Sequence, residues 1–145
     1  METKVFSLDE ATGLIPKLED AFEVIFFLNS KLKDAAKDIE DLFGIWGESV
    51  QHKNNPDHEL YNARVAKKQE LLKELREKTE EIQETGCQIK DIEKGLIDFP
   101  SEVNGQIIFL CWKYGEGKIE HWHGSGEGFT GRKPIKDLPT PSPMK

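Results

Sequence analysis

The stretch that decides the fold is Ala11–Trp46, ATGLIPKLEDAFEVIFFLNSKLKDAAKDIEDLFGIW. Alternate steps of three and four residues along it meet an apolar side chain every time. The positions on this ladder are Ala11, Leu14, Leu18, Ala21, Ile25, Leu28, Leu32, Ala35, Ile39, Leu42 and Trp46. An apolar period of about 3.5 residues over this length is typical of a helix that packs along another helix in a coiled coil. We therefore predict a long helix to about Gly47, paired with a second helix of the same chain.

The start of this helix carries two local signals. Ser7 and Glu10 are spaced as a capping box, in which the hydroxyl and the carboxylate each accept a backbone N–H of the first turn. Pro16 removes a backbone donor within the predicted helix, and Gly13 lies just before it. We therefore expect a short first turn, a kink or break near Pro16, and then the long helix.

A second, less regular helix is predicted from about Asp57 to Lys94. Its best ladder of the same period contains polar positions as well as apolar ones. The positions are Tyr61, Val65, Lys68, Leu72, Leu75, Thr79, Ile82, Gly86, Ile89, Glu93 and Leu96. The segment 48–56 between the helices is polar and ends in Asn55-Pro56, which is typical of a loop. Because the two helices have similar predicted lengths, we expect an antiparallel hairpin, with Gly95 as the C-cap of the second helix.

The segment after Gly95 is predicted to form a small β-hairpin. Residues 106–114 are a short β-branched and aromatic run bounded by turn residues, and residues 118–123 alternate after a glycine-rich turn. A preceding edge strand near 96–99 would extend the pair. Because residues 14–28 carry an apolar face too wide for a two-helix seam, we expect the β-hairpin to pack on this base of the helical hairpin.

The predicted fold class is α+β, mainly α: a long antiparallel helical hairpin of the coiled-coil kind, with the small C-terminal β-hairpin packed at its base. We expect a single domain over 1–136, with the helical hairpin at about 8–94 and the β-hairpin segment at about 95–135. Residues 137–145 are rich in proline and are predicted to be a flexible tail. A thin helical rod has a large surface for its volume, so we also predict a homodimer or higher homo-oligomer.

Composition narrows the classes of function. The 145-residue chain has a net charge of −7, whereas phosphate neutralisation requires a basic surface, so we expect no nucleic-acid partner. No apolar run approaches the roughly 20 residues that span a bilayer, and Met1–Lys4 leads into a polar segment. We therefore expect neither a membrane span nor a secretory signal. With only two cysteines, a reducing, cytoplasmic location is expected.

Cys111, His121 and His123 form a close group of metal-ligand residue types. With a three-residue loop between the strands, Cys111 lies opposite His121 and Phe109 lies opposite His123, all on one face of the sheet. With a two-residue loop, Cys111 lies opposite Glu120 instead. Zinc binds three or four ligands at tetrahedral angles, so these three residues with a nearby acid are a candidate zinc site. The alternative is a half-buried cysteine beside two cross-strand histidines.

Three further polar residues, Asp98, Glu116 and Arg132, are candidates for binding a small ligand, and Asp98 is also the acid that would complete the zinc site. Arg132 can clamp a carboxylate of a ligand or pin the tail to an acid of the chain. A Cys–His nucleophile pair at Cys111 is conceivable, but an apolar strand makes a thiol inert. The glycine-rich run Gly124–Gly128 follows a strand but precedes no helix, so a flexible loop is favoured over a phosphate site.

Several motifs resemble those of a known prokaryotic family. They are Ser7-Leu8-Asp9-Glu10-Ala11, Leu14-Ile15-Pro16, Gly95-Leu96-Ile97-Asp98-Phe99-Pro100, Phe109-Leu110-Cys111-Trp112, Gly115-Glu116, Trp122-His123 and Gly128-Phe129-Thr130-Gly131-Arg132-Lys133-Pro134-Ile135. Over residues 4–136 the chain resembles the domain-of-unknown-function family 2203, some members of which are labelled cell-division initiation protein. The resemblance implies a small bacterial or archaeal cytosolic protein without an established activity. Cys111, Glu116, His123 and Arg132 are polar members of its motifs.

Two hypotheses of function follow from the sequence. The leading one is a non-enzymatic interaction or scaffold protein that self-associates through its helical hairpin, contacts a protein partner and needs no cofactor. The alternative is a small-ligand or metal-binding protein, or an enzyme, that uses Cys, His, Asp and Arg side chains of the C-terminal β segment, with zinc as the metal. The two hypotheses differ in whether these side chains converge on one open cavity.

Overall fold

The computed structural model describes residues 4–128 and 131–138. Its elements run from helices to strands along the chain. They are α1 (Leu8–Gly13), α2 (Ile15–Trp46), a 3-10 helix (Gly47–Gln51), α3 (His58–Glu84), β1 (Gln88–Asp91), β2 (Leu96–Val103), β3 (Gln106–Lys113), β4 (His121–Gly124), β5 (Lys133–Pro134) and a second 3-10 helix (Ile135–Asp137). The predicted α+β class is confirmed. From Pro139 onward, the predicted Pro-rich tail lies outside the described residues.

Two compact units make up the chain: Met1–Glu23 together with Thr79–Lys145, and Val24–Lys78. The long helix α2 begins in the first unit and ends in the second. Within residues 4–128 and 131–138, every helix is either too short or too polar to span a membrane.

The start of the helical region agrees with the local sequence signals. The Ser7 N–H donates to Glu10 Oε1 at 2.8 Å, and the Glu10 N–H donates to Ser7 Oγ at 3.0 Å, so the predicted capping box is confirmed. The hydrogen bond from the Ser7 N–H lowers the pKa of the Glu10 carboxyl below its ordinary value. The helix is interrupted at Leu14, which separates α1 from α2 just before Pro16. Pro16 thereby sits in the first turn of α2, where its missing N–H is tolerated.

The second helix, α3, ends at Glu84, so its predicted extension to about Lys94 is wrong. Gly86 has φ +101°, which ends the helix and which residues with a Cβ rarely adopt. Lys4 also lies so close that a Cβ at position 86 would be 2.8 Å from the Lys4 Cδ. The residues after Gly86 therefore leave the helix axis, and Gln88–Asp91 pair with β2 as strand β1.

The prediction that Gly95 caps the second helix is wrong. Gly95 closes the turn between β1 and β2. Its N–H donates to the carbonyl of Asp91 at 2.9 Å, and its φ is +71°. The Asp91 carboxylate accepts the N–H groups of Glu93 and Lys94 in the same turn. The register of β1 against β2 shifts at Lys90, which forms a β-bulge.

In the unit Val24–Lys78, α2 and α3 pack through a small apolar core. Its members are the buried Leu28, Ala35 and Leu71, with Leu32 and Leu75 packed against them. Leu72, which the predicted ladder placed in this core, is 40% exposed, and Leu71 is buried instead. The predicted apolar ladder of the second helix is displaced by one residue at this point. Its step of four residues leads from Lys68 to Leu72 and so misses Leu71.

The five strands form one antiparallel sheet in the order β1-β2-β3-β4-β5. The strands predicted at 106–114 and 118–123 are β3 and β4. The strand predicted at the edge near 96–99 is longer than expected and lies inside the sheet as β2. The sheet is therefore larger than the predicted β-hairpin, because residues 88–91, which the helical spacing places in the second helix, form β1.

Alternate side chains of β2 and β3 are buried on one face of the sheet, where they meet Phe6 and the first part of α2 in the same unit. The most buried of these side chains are Ile97, Phe99, Leu110 and Trp112. The Trp112 ring lies 6.2 Å from the ring of Phe22 in α2, and the Phe99 ring lies 5.2 Å from that of Phe6. Because side chains alternate along a strand, the intervening residues of β2 and β3 face the opposite side of the sheet.

Gly86→Ala is expected to lower the free energy of unfolding by about 1–2 kcal/mol, because alanine is strained at a positive φ. Urea unfolding of both proteins measures the difference. Gly44→Ala is the control: Gly44 lies in α2 with open space at its Cβ position, and alanine there should raise stability by about 1 kcal/mol. A Gly86→Ala variant as stable as the wild type would contradict this account of the helix end.

Candidate functional site

Four of the predicted site residues, Asp98, Cys111, His121 and His123, lie on the face of the sheet opposite Phe99 and Trp112. Cys111 of β3 pairs with Asp98 of β2 on one side and with His121 of β4 on the other. Phe109 pairs with His123. This is the register predicted for a three-residue loop, with Cys111 opposite His121, although residues 114–120 make the observed β3–β4 connection longer than three residues. The alternative register, with Cys111 opposite Glu120, is wrong.

A buried hydrogen bond joins Asp98 to His123 across the sheet. His123 Nε2 lies 2.9 Å from Asp98 Oδ2, and the two side chains are only 4% and 5% exposed. The two residues belong to β2 and β4, which are separated by β3, so the bond ties together strands that share no ladder. The imidazole also stacks on the Phe109 ring, with ring centroids 5.4 Å apart.

The hydrogen bonds of His123 define where its protons lie. His123 Nδ1 is 3.0 Å from the carbonyl oxygen of Gly124, and a carbonyl oxygen only accepts, so Nδ1 carries a proton. Nε2 lies within hydrogen-bond distance of Asp98 Oδ2, so both ring nitrogens are engaged.

Cys111 lies beside this pair and is 2% exposed. Burial raises the pKa of its thiol to about 12, and a hydrogen bond with Asp98 acts in the same direction, while Arg132 opposes it. The thiol is therefore neutral near pH 7 and lacks the thiolate that a nucleophile or metal ligand requires. The Cys–His nucleophile pair considered from the sequence is not favoured by this environment.

Glu116 and Arg132 form an ion pair of their own. Arg132 Nη2 donates to both carboxylate oxygens of Glu116, at 3.1 and 2.8 Å, and Glu116 Oε1 also accepts the Lys113 N–H. His121 Nδ1 lies 3.9 Å from Glu116 Oε2. The three charged or titratable residues thus form a second group beside Cys111, and the binding roles predicted for Glu116 and Arg132 stay predictions.

A cavity of about 520 Å³ opens over the Asp98–His123 pair. Its polar lining consists of Lys90, Asp91, Asp98, Cys111, His123 and Ser125. Leu96 and Phe109 supply apolar surface, and Gly126 and Gly128 complete the wall formed by the glycine-rich loop. The structure therefore brings Asp98, Cys111 and His123 to one cavity, whose lining does not include His121, Glu116 or Arg132.

Sequence reasoning missed Lys90 and Asp91 as cavity residues because it placed them in the second helix. The two glycines at positions 86 and 95, which bracket this short segment, were the available signal that it lies outside a helix. The β-bulge at Lys90 also changes the direction of the strand beside the cavity, as bulges commonly do near functional sites.

No group of three or more His, Cys, Asp or Glu side chains arranged to hold a metal ion occurs within the described parts of the chain. Both ring nitrogens of His123 are already engaged, Nδ1 by the Gly124 carbonyl and Nε2 by Asp98. The zinc site at Cys111, His121 and His123 stays a prediction, and the described side chains would have to rearrange to form it.

Asp98→Ala is expected to lower the free energy of unfolding by about 3–5 kcal/mol, because it leaves His123 buried without its partner. Glu102→Ala, on the same strand but exposed, should change stability by no more than about 0.5 kcal/mol. Urea unfolding of the two variants compares them directly. Equal stabilities would show that the Asp98–His123 bond does not hold the strands together.

A family profile described as "Uncharacterized conserved protein (DUF2203)" matches residues 4–135. No curated protein and no solved structure shows significant similarity to the chain. The match covers nearly the whole sequence and confirms the resemblance seen in the motifs, whereas the cell-division label is not confirmed by it. On this match, the chain belongs to the DUF2203 family of uncharacterised conserved proteins.

Proposed function

We propose that this chain binds a small molecule in the cavity over Asp98, Cys111 and His123. The observation that carries the proposal is the buried Asp98–His123 pair at the wall of a cavity of about 520 Å³. Ligand sites are commonly concave and mostly apolar, with a few polar groups that orient the ligand. This convergence favours the small-ligand hypothesis over the scaffold hypothesis.

The lining indicates the chemistry of the ligand. Leu96 and Phe109 suit an apolar or aromatic group, and the Asp98 carboxyl suits a hydrogen-bond donor. At the rim, Lys90 and Asp91 carry opposite charges, so the rim adds no strong preference for one sign of charge. We therefore propose a small, largely apolar ligand that is neutral or cationic and donates a hydrogen bond.

Binding without catalysis is the role we propose for this cavity. The Cys111 thiol is neutral because burial raises its pKa to about 12. Both nitrogens of His123 are engaged, by Gly124 and by Asp98, so the ring has no lone pair ready to accept a proton from a substrate.

Cys87 and Cys111 are both free and buried thiols, which supports the proposed cytoplasmic location.

Three ring compounds of similar size and different charge test the ligand chemistry. Benzamide and benzamidine are expected to shift the backbone amide resonances of residues 96–98, 109–111 and 123–126. We expect dissociation constants on the order of 1–10 mM, the range usual for fragments of this size. Benzoate is expected to cause no such shifts, because it offers no hydrogen-bond donor to Asp98. Titration followed by two-dimensional NMR of the full chain measures all three.

Two isosteric variants control this titration. Asp98→Asn should weaken benzamidine binding about tenfold, because it removes the carboxylate acceptor in the cavity. Glu102→Gln, on the exposed part of the same strand, should leave the titration unchanged. The proposal fails if none of the probes shifts these resonances, or if both variants titrate like the wild type.

A second candidate function, self-association through the helices, is favoured by exposed apolar side chains. We propose that α2 and α3 form an antiparallel, coiled-coil-like hairpin. Supporting contacts, besides the core around Leu71, are Arg64 Nη1 to the Asp38 carbonyl at 2.6 Å and Trp46 Nε1 to the Asp57 carboxylate at 2.8 Å. Along these contacts residue numbers rise in α2 and fall in α3, as antiparallel packing requires.

Phe27 and Ile45 of α2 are 60% and 70% exposed, so both apolar side chains are available for contact with another molecule. We propose that Phe27 contributes to a homodimer, with a different protein partner as the alternative. Phe27→Asp is then expected to shift a dimer to a monomer in sedimentation or light-scattering measurements. Ser30→Asp, which adds the same charge at an exposed polar position nearby, should leave the dimer intact. A monomeric wild type at high concentration would overturn the homodimer.

A further inference from the structure

A second cavity, of about 620 Å³, lies on the face of the sheet opposite Phe109 and His123. Ile108 and Trp122 line it, and each precedes one of those two residues on its strand, so its side chain faces the other way. Of the described lining residues, the two cavities share only Ser125. The second cavity is therefore a separate place for a ligand, outside the site of the proposed function.

The apolar part of this lining comes from the β2–β3 hairpin and from β4. Its members are Val103, Ile107, Ile108 and Trp122. The side chains of Asn104 and Gln106 add amide groups at the hairpin end. Ligand sites commonly combine a mostly apolar wall with a few polar groups, so this wall suits an apolar or aromatic part of a ligand.

An ion pair forms the opposite, polar wall of the second cavity. Lys133 Nζ donates to Glu127 Oε1 at 2.6 Å, and the same oxygen accepts the Gly124 N–H at 2.5 Å. Lys133 belongs to β5, which pairs with β4, and its Nζ lies 4.7 Å from the centroid of the Trp122 ring. Two opposite charges are therefore held side by side at the edge of the apolar wall.

Both charged groups keep hydrogen-bonding capacity for a ligand. Among the described residues, the hydrogen bonds of the Glu127 carboxylate use Oε1, which leaves Oε2, and the Lys133 ammonium has three protons. The two side chains are 41% and 42% exposed, so a molecule from solution can reach them. The Lys133 bond, followed by the Gly124 N–H, lowers the pKa of the Glu127 carboxyl below its ordinary value, so this group is ionised at neutral pH.

We infer that the second cavity binds a free amino acid with an apolar or aromatic side chain. The α-ammonium group donates to Glu127 Oε2, the α-carboxylate accepts from Lys133, and the side chain lies on the apolar wall at Trp122. An amino acid carries its two opposite charges close together, as the adjacent Glu127 and Lys133 require. A ligand with a single charge matches one of these groups and is repelled by the other.

Three phenyl compounds test this selectivity. L-Phenylalanine carries both charges, phenethylamine lacks the carboxylate, and 3-phenylpropionate lacks the ammonium group. Phenylalanine is expected to shift the backbone amide resonances of residues 103–108 and 133, with a dissociation constant on the order of 1–10 mM. The two singly charged compounds should bind there about fivefold more weakly, because each loses one exposed ion pair. Titration followed by two-dimensional NMR of the full chain measures all three.

Variants that remove one charge at a time control this experiment. Glu127→Gln is expected to bind phenylalanine and 3-phenylpropionate about equally, and Lys133→Met to bind phenylalanine and phenethylamine about equally. Each variant thus loses one half of the selectivity, which a general loosening of the sheet would not produce. Glu120→Gln and Lys136→Met remove exposed charges that do not belong to the described lining, and both should keep the selectivity of the wild type.

The amino-acid site is overturned if phenylalanine leaves the resonances of 103–108 and 133 unshifted. Equal binding of the three compounds would also overturn it, because the cavity would then select the ring alone. Shifts confined to residues 96–98 and 109–111 would place the amino acid in the first cavity and refute the second site. The proposed function is tested separately, by the benzamidine titration at 96–98 and 109–111, so either site can fail while the other is supported.

Discussion

Strand β2 is buried from Leu96 to Ser101, and this constraint organises the sheet and the candidate site. A strand covered on both faces has to place apolar side chains against the helical side and satisfy whatever polar groups face the other side. Ile97 and Phe99 are the apolar side chains that β2 places against the helical side. Asp98 meets the second requirement by its bond to His123, and the cavity exists where that bond, the bulged strand β1 and the glycine loop come together.

Local sequence signals predicted the parts of the fold that local interactions decide. The capping box at Ser7 and the break before Pro16 depend on neighbouring residues only, and the sequence gives both correctly. The end of α3 depends instead on the positive φ of Gly86 and on its close contact with Lys4, a residue far away in the sequence. Periodicity could not reveal this, because Ile89 and Leu96 happen to continue the spacing of the helix while they lie on strands.

The candidate site was predictable in its residue types, and its register was one of the two that the sequence left open. Alternation along β3 placed Cys111 and Phe109 on one face, opposite His121 and His123. Spacing alone could not show that His123 would bond Asp98 across an intervening strand, or that Arg132 would reach Glu116. Such bonds join residues that are far apart in sequence, and they decide whether a histidine serves as a ligand, a base or a buried anchor.

The outer strands of the sheet have a consequence for how copies of the chain can meet. β1 is four residues long and carries the bulge at Lys90, while β5 is two residues long and includes Pro134. A charged bulge and a proline both interrupt the row of backbone donors and acceptors that a foreign strand would need. Edge-to-edge growth of the sheet, the usual route to fibrous aggregates, is therefore disfavoured at both edges. Copies of the chain that associate would have to do so through side chains on other surfaces.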